Sequence, residues 1–424
     1  MNQIKLTELT QKLDLLEVAN HYNLDLKKSG ANWKCKSPWN DENTASCMFS
    51  PEKQIFKDFS SGKGGDCIEF IKEMEGLGYV EALMLLGSIY GIDLEDDVDP
   101  KVLTKRAQIY ESTRILSAYF ISCLKESGEA QKYASRFSQE SIDKWALGYC
   151  PMKPPEQYAQ HFITSGLISE KGFNLIQGRL IFPIRSRSGS VLSFTGRRMD
   201  DGKEYKYLNG QETEVFSKSS TLYGLFESKS EIIKTGHGIL VEGNPDTITS
   251  HEYGHKNVVC PLGTSFTENQ IKECLRMTRN WTIINDGDSA GAKATIRDVK
   301  MFLNKGVEPK VLNMPSGIDP DLYLKENLSY DFSQSVGGIE YMATGKDLDG
   351  EFFNTLVKYL DGIENPHLKN VKAIQLSNSF GLSREFIEVR KKWNHIHESE
   401  EFCSNQRSKS LIDLWQKTQM NQQY

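Results

Sequence analysis

Apolar residues recur at helical spacing at the front of the chain. Leu6, Leu9, Leu13 and Leu16 form one stripe, which predicts a helix over Ile4 to Tyr22. Trp33 to Phe59 breaks into short runs and turns, which predicts strands. Ile68 to Tyr90 returns to helical spacing in two pieces, joined at Gly76-Leu-Gly78. An acidic run closed by proline, Asp93 to Pro100, reads as a linker, because like charges repel and proline stops a helix. Val102 to Glu126 predicts a long amphipathic helix, and strand and turn patterns fill Leu147 to Phe226. From Ile239 to about Asn327, short apolar runs alternate with helical patterns, as a doubly wound sheet requires. The last stretch is helical and polar, with segments Phe352 to Ile363, Val371 to Asn378, Ser383 to Asn394 and Ser408 to Met420. These shifts predict four domains: 1–92, 101–235, 236–344 and 345–424. The fold class expected is α/β (α+β overall).

Two acidic signatures follow buried-strand runs. Gly238-Ile-Leu-Val241 leads into Glu242-Gly-Asn-Pro-Asp246, and Trp281-Thr-Ile-Ile284 leads into Asp286-Gly-Asp288. Each precedes a helical pattern. Open parallel sheets keep their sites at the C-terminal ends of their strands, so the carboxylates are expected there. A third pair, Asp319-Pro-Asp321, follows the strand-like Lys310-Val-Leu312. Carboxylates gathered at one sheet edge repel each other unless a divalent cation sits among them. Mg²⁺ prefers oxygen ligands and keeps waters that a phosphate can replace. Glu242, Asp246, Asp286, Asp288, Asp319 and Asp321 are therefore the candidate metal ligands of a phosphoryl-transfer site.

Glu242-Gly and Asp286-Gly-Asp288 resemble the Toprim domain of primases, topoisomerases and some nucleases. The flanks narrow the resemblance. Val259-Cys-Pro-Leu-Gly-Thr-Ser265 and Asp286-Gly-Asp-Ser-Ala-Gly291 are similar to loops of bacterial DnaG-type primases. So are Gly178-Arg-Leu-Ile-Phe-Pro-Ile-Arg185, Phe194-Thr-Gly-Arg197, Lys206-Tyr-Leu-Asn209, Glu212-Thr, Phe216-Ser-Lys218 and Leu222-Tyr-Gly-Leu-Phe226, which resemble that family's basic, template-binding subdomain. The likeness runs from roughly Leu13 to Leu328. It implies a Toprim doubly wound sheet, a basic N-terminal catalytic subdomain, a small zinc-ribbon-like N-terminal domain and a helical C-terminal unit.

The resemblance implies a DNA primase, which makes short RNA primers from ribonucleoside triphosphates on single-stranded DNA. Glu242, Asp286 and Asp288 would be its catalytic core, with two or three Mg²⁺ (or Mn²⁺) ions. Arg197, Lys206, Tyr207, Asn209 and Lys218 would hold template or nucleotide, and Lys144 falls near another basic position of the family. Lys206 beside Tyr207 pairs a charge with an aromatic face, which suits single strands. Gly263, Thr264 and Ser265 offer amides and hydroxyls ahead of a helix, which suits a phosphate.

Residues 35–75 resemble the zinc ribbon at the front of these primases. The frame includes Pro38-Trp39, Asp41 to Ser46, Phe56, Phe59, Gly62, Gly64-Gly65 and Ile68-Glu69-Phe70. Where the family places Cys, His, Cys and Cys, this chain has Ser37, Asn40, Asp58 and Ser61. Zn²⁺ takes about four N, S or O donors, so zinc is expected to be unlikely here. Cys35, Cys47 and Cys67 are nearby, with spacings that match no finger pattern, and they leave a relocated site as the alternative.

Net charge is −6 over 424 residues, which by itself does not advertise nucleic-acid binding. The span Arg179 to Lys218 departs from that balance, with eight Lys/Arg against five Asp/Glu, and could form a basic face. No apolar run is long enough for a membrane helix, and the N-terminus lacks a signal-peptide pattern, so a cytoplasmic protein without a membrane partner is expected. Eight scattered cysteines fit a reducing compartment. The altered ribbon and the short C-terminal unit suggest a phage or other mobile element, with host cytoplasm as the compartment. No P-loop is present, so a separate replicative helicase is the expected partner. Two other readings are a Toprim nuclease or topoisomerase-like enzyme, and a non-catalytic replisome adaptor derived from a primase. The complete acidic set argues against the adaptor.

Overall fold

A computed structural model describes residues 3–22, 24–40, 44–92, 105–200, 205–263, 266–343 and 350–380. The acidic run 93–100 and the helical segments expected at 383–394 and 408–420 lie outside the described residues. Contacts divide the chain into two compact units, 1–294 with 313–333, and 295–312 with 334–424.

The first unit begins with two helices where one was expected. Gln3–Lys12 and Leu15–His21 are separated at Asp14, whose carboxylate accepts the Glu17 amide and caps the second helix. The leucine stripe continues across the break, but a capping side chain outcompetes helix continuation there. A five-stranded antiparallel sheet follows in sequential order, with strands Lys27–Ser29, Asn32–Cys35, Cys47–Ser50, Ile55–Asp58 and Gly64–Gly65. Helices Cys67–Glu75 and Tyr79–Ile89 cover it. Asp66 caps the first of these through the Ile68 and Glu69 amides, and Gly76 ends it at φ 65°. Phe70 stands edge-on to Phe56 and Phe49, with ring centroids 5.1 and 5.5 Å apart. Such pairs add to simple area burial.

Helix Lys105–Glu126 lies against a four-stranded antiparallel sheet of Gly148–Cys150, Arg179–Arg185, Val191–Arg198 and Tyr207–Asn209. Its Phe120 rests on Gly148 so closely that a Cβ there would sit 2.5 Å from the Phe120 side chain. The middle strands are buried almost throughout, with the polar Ser193, Thr195 and Arg197 included.

The alternating region forms the parallel arrangement expected. Gly238–Val241 pairs in parallel with Val258–Pro261 on one side and Trp281–Ile284 on the other, and Leu222–Tyr223 adds an antiparallel edge. All twelve residues of the three parallel strands are buried. The chain leaves Gly238–Val241 toward one neighbour and later returns to its other side. That reversal makes a topological switch point, where such sheets leave a crevice.

The second unit holds the antiparallel strands Lys310–Val311 and Val336–Gly337 and helices Gly338–Ala343, Gly350–Asp361 and Pro366–Phe380. Phe352, Leu356, Tyr359 and Leu360 are buried and Phe353 is half-buried, so this stripe packs inside the unit.

Candidate functional site

Glu242 follows the central strand and Asp286 follows its parallel neighbour, so both stand at the switch point. The Asp286-Gly-Asp288 turn is clasped by the loop before helix Pro320–Asn327. The Gly287 amide donates to the Ile318 carbonyl and the Gly317 amide donates to the Gly287 carbonyl, both at 2.9 Å. A Cβ on Gly287 would lie 1.9 Å from the Pro315 carbonyl oxygen, and one on Gly291 would lie 2.1 Å from that of Asp286. Glycine between the two aspartates is therefore what lets the Asp319 loop approach them.

The six carboxylates differ in what they hold. Asp288 Oδ1 accepts the Ala290 and Gly291 amides at 2.9 and 2.7 Å. Asp319 caps the next helix through the Leu322 amide at 2.7 Å. Asp286 is half-buried, and its Oδ1 is buried with no hydrogen-bond partner. Burial, followed by Glu242, Asp319 and Asp288, pushes its carboxyl up to about 7, while Lys206 opposes the shift. Asp246 is buried in the first turn of helix Asn244–Glu252. Burial and the charges of Asp286, Asp319, Asp321 and Glu242 push it well above the usual carboxylate range.

Asp321 is treated in the opposite way. It is buried, accepts a hydrogen bond from Thr249 Oγ1, and pairs with Arg136 at 2.6 Å and Lys325 at 2.9 Å. Burial pushes its carboxyl up, but these partners outweigh burial and hold it below the usual range. Among the described residues no group of three or more His, Cys, Asp or Glu side chains stands assembled as a metal cage. The acidic side chains share one field without converging on one point. A buried carboxylate oxygen that lacks any donor, in that field, fits an oxygen-seeking divalent cation.

The basic residues adjoin this edge. Arg197 is 9% exposed and lies over the Tyr133 and Tyr207 rings, at 4.9 and 5.6 Å. Its Nε donates to Tyr207 Oη at 2.8 Å, and its Nη1 is buried without a partner. Burial pushes the Tyr207 phenol up to about 12, and Asp246 and Arg136 also act on it, which puts it beside the acidic set. Lys206 Nζ stands 5.9 Å from the Tyr207 ring. Asn209 is turned inward, accepting from Thr195 Oγ1 across the strand pair. Lys218 lies in a loop anchored by Gln270, which donates to its carbonyl at 2.9 Å. Lys144 instead meets His251, 3.4 Å from Nδ1. Gly263 holds φ 119°, while Thr264 and Ser265 lie outside the described residues.

Tyr133, Arg136 and Thr249 were not singled out in the sequence. Each acts across a long sequence separation, and no local spacing marks it. The only signal at Arg136 is a basic residue between two short helices, Gly128–Ala134 and Gln139–Lys144.

In the N-terminal sheet, Asp58 is fully buried. Ser37 and Ser46 hydroxyls donate to it at 2.8 and 2.9 Å, as do the Ser61 hydroxyl and amide. Burial pushes its carboxyl up, but these donors more than offset it and hold the group below its usual value. Asn40 Nδ2 donates to Ser60 at 2.9 Å. Cys35 and Cys47 are cross-strand neighbours, and Cys67 lies beside Gln54.

Three families match in order along the chain: CHC2 zinc finger over residues 1–101, DNA primase catalytic core N-terminal domain over 119–229, and Toprim-like over 239–324. The chain is 34% identical to the DNA primase of Aquifex aeolicus over 364 residues, covering 83% of this chain and 70% of that one. It is 31% identical to the DNA primase of Halalkalibacterium halodurans over 422 residues, covering 91% and 70%. The crystal structure of the zinc-binding and RNA polymerase domains of the Aquifex aeolicus primase superposes with a TM-score of 0.61 at 30% identity, over 91% of this chain and 99% of that one. A DnaG catalytic domain bound to single-stranded DNA superposes with a TM-score of 0.57 at 25% identity, over 66% and 97%.

The zinc-finger match corrects one expectation. Zinc was expected to be unlikely because of four side chains, whereas the likeness runs through the whole ribbon frame and points to zinc binding. At the corner itself the chain's own groups do not make a ready zinc set. Asp58 is taken up by serine donors, and no cluster of three ligating side chains exists among the described residues.

Proposed function

The chain belongs to the DnaG-type DNA primases, enzymes that synthesise RNA primers, and we propose that it does so at the edge formed by Glu242, Asp286 and Asp288. The substrates are ribonucleoside triphosphates and the template is single-stranded DNA. A 3′-hydroxyl attacks an α-phosphate and pyrophosphate leaves. Two or three Mg²⁺ (or Mn²⁺) ions bound at this edge supply the activation of the attacking oxygen and the neutralisation of phosphoryl charge.

The protein's own part is positioning. Glu242, Asp286 and Asp288 are the core ligands, with Asp246 and Asp319 around them. Asp321 braces the edge through Arg136, Lys325 and Thr249. Arg197, fixed between two tyrosines, has Nη1 left to donate to a phosphate oxygen. Lys206 is near enough to Asp286 to oppose the upward shift of its carboxyl, so it can contact both the edge and a nucleotide. Tyr207 orients Arg197. Lys218, Asn209, Gly263, Thr264 and Ser265 complete the template side.

The observation that carries this reading is the buried, partnerless oxygen of Asp286 among like charges. Incorporation of labelled ribonucleotides on defined single-stranded templates tests it. Asp286→Ala should abolish incorporation while the fold survives, and near wild-type incorporation would remove the assignment.

We divide the chain into a ribbon domain at 1–92, a basic subdomain at 101–235, a Toprim domain at 236–344 and a helical module at 345–424. The three matched families support the first three. The last module offers exposed Leu368, Val371 and Ile374 along one helix, a surface suited to a replicative helicase. Such an enzyme works beside DNA in the cytoplasm. No helix among the described residues is long and apolar enough to cross a membrane.

A further inference from the structure

One joint between the N-terminal domain and the core is polar. His21 Nε2 donates to the Ser188 carbonyl at 2.6 Å, and buried Lys229 donates to the carbonyls of His21 and Arg187. Beside this joint lies a cavity of about 360 Å³. That is within the range of small-molecule sites, roughly 300–1,000 Å³.

Its walls have an unusual composition. Arg106, Arg185, Arg187 and Arg276 line it, against only Glu75 and Glu273. Arg185 is neutralised by Glu227 at 2.6 Å. Glu75 accepts from Tyr110 Oη at 3.2 Å, and its carbonyl accepts from Arg106 at 2.6 Å. Arg106 donates to the backbone carbonyls of Glu75 and Glu214 and so keeps its charge, and Arg187 and Arg276 share the single carboxylate of Glu273. Two guanidinium groups on one carboxylate leave donors over.

Two donors of these arginines are orphaned. The Nε atoms of Arg106 and Arg187 are buried without a hydrogen-bond partner. Tyr22, 2% exposed, brings its hydroxyl near Glu75 and Ser188 but completes no hydrogen bond of good geometry. Buried donors left unpaired are costly, and each asks for an acceptor. Phosphate oxygens are the acceptors that arginine forks fit best. The same cavity presents Trp39 and Tyr110, aromatic faces suited to a base.

We propose that this cavity is a nucleoside-polyphosphate site separate from the catalytic edge, with the phosphates on Arg187 and Arg276 and the base against Trp39 and Tyr110. A ligand there touches the N-terminal domain, the helix Lys105–Glu126 and the core at once, so its binding tightens the joint.

Equilibrium dialysis of labelled ADP against the full chain in EDTA tests this. Without metal the catalytic carboxylates repel phosphates, so they hold no nucleotide. One ADP per chain is expected, with pyrophosphate competing and Asp286→Asn unchanged. Arg187→Ala and Arg276→Ala should each weaken ADP tenfold or more. Arg276→Lys keeps a charge for Glu273 but loses the fork, and should fall between wild type and Arg276→Ala. Trp39→Leu should weaken ADP while leaving pyrophosphate competition intact. These last two variants carry the test if the alanine variants fold poorly. Absence of ADP binding in EDTA overturns the proposal, and so does binding indifferent to both Arg276→Lys and Trp39→Leu.

Discussion

Asp58 and Asp286 are both aspartates near the end of a strand, and the protein treats them in opposite ways. Asp58 is surrounded by donors from Ser37, Ser46 and Ser61, and its acidity is strengthened. Asp286 is surrounded by carboxylates, has a buried oxygen with no donor, and its acidity is weakened to about 7. A satisfied carboxylate ties strands together. A frustrated one stores electrostatic repulsion that a cation relieves. Asp321 belongs with Asp58 in this respect, although it sits among the acidic set, because Arg136, Lys325 and Thr249 satisfy it.

The comparison breaks most sharply by mutation. Glu242→Gln or Asp288→Ala should lower primer synthesis by about 10²–10³-fold or more, because each removes a ligand for the cations that would neutralise the reacting phosphate. Circular dichroism should be unchanged. Either variant retaining most of the activity would move the site elsewhere.

Asp58→Ala should do the reverse, costing about 3 kcal/mol of N-terminal domain stability, since three hydroxyls lose a charged acceptor. Denaturant unfolding followed by Trp33 and Trp39 fluorescence measures this. Because the Asp58 acidity is strengthened on folding, its contribution is present above the ordinary value of 3.8 and is lost as pH falls through the lower folded value. An unfolding midpoint indifferent to the substitution would show that the serines find other partners.

Arg197→Ala should weaken template binding and flatten its salt dependence by roughly 0.7 in log–log slope, the value for one lost phosphate contact on a single strand. Affinity measured at several salt concentrations decides this. An unchanged slope would leave Arg197 as a packing residue between Tyr133 and Tyr207.

A smaller effect sharpens the contrast. The Asp286 carboxyl is raised on folding from 3.8 to about 7, so its ionisation is unfavourable to the fold. That destabilisation is absent below the unfolded value, grows as pH rises, and is complete above about 7. In metal-free buffer at pH 8, Asp286→Asn should raise the melting temperature by about 2–4 °C, allowing for partial solvent screening. At pH 4 it should change it little. Equal shifts at both pH values would point to packing rather than charge.

Much of this was legible in the sequence. Gly238–Val241 and Trp281–Ile284 stand out as apolar runs because both faces of a parallel strand are buried, and the acidic motifs directly follow them. The glycine between Asp286 and Asp288 is visible as a motif, but its reason, contact with the Pro315 carbonyl, is tertiary. Arg136 was invisible because it meets Asp321 across 185 residues. The helix break at Asp14 was missed because a leucine stripe carries no record of a cap. The zinc expectation failed because four positions were weighed above a whole domain.

Titration with Mn²⁺, followed by the paramagnetic resonance of the free ion, tests most directly whether divalent cations relieve the frustrated edge. Wild type should bind two or three ions, and Asp286→Asn should lose at least one of them or bind it tenfold more weakly. Equal numbers of ions, held equally tightly by both proteins, would contradict the account.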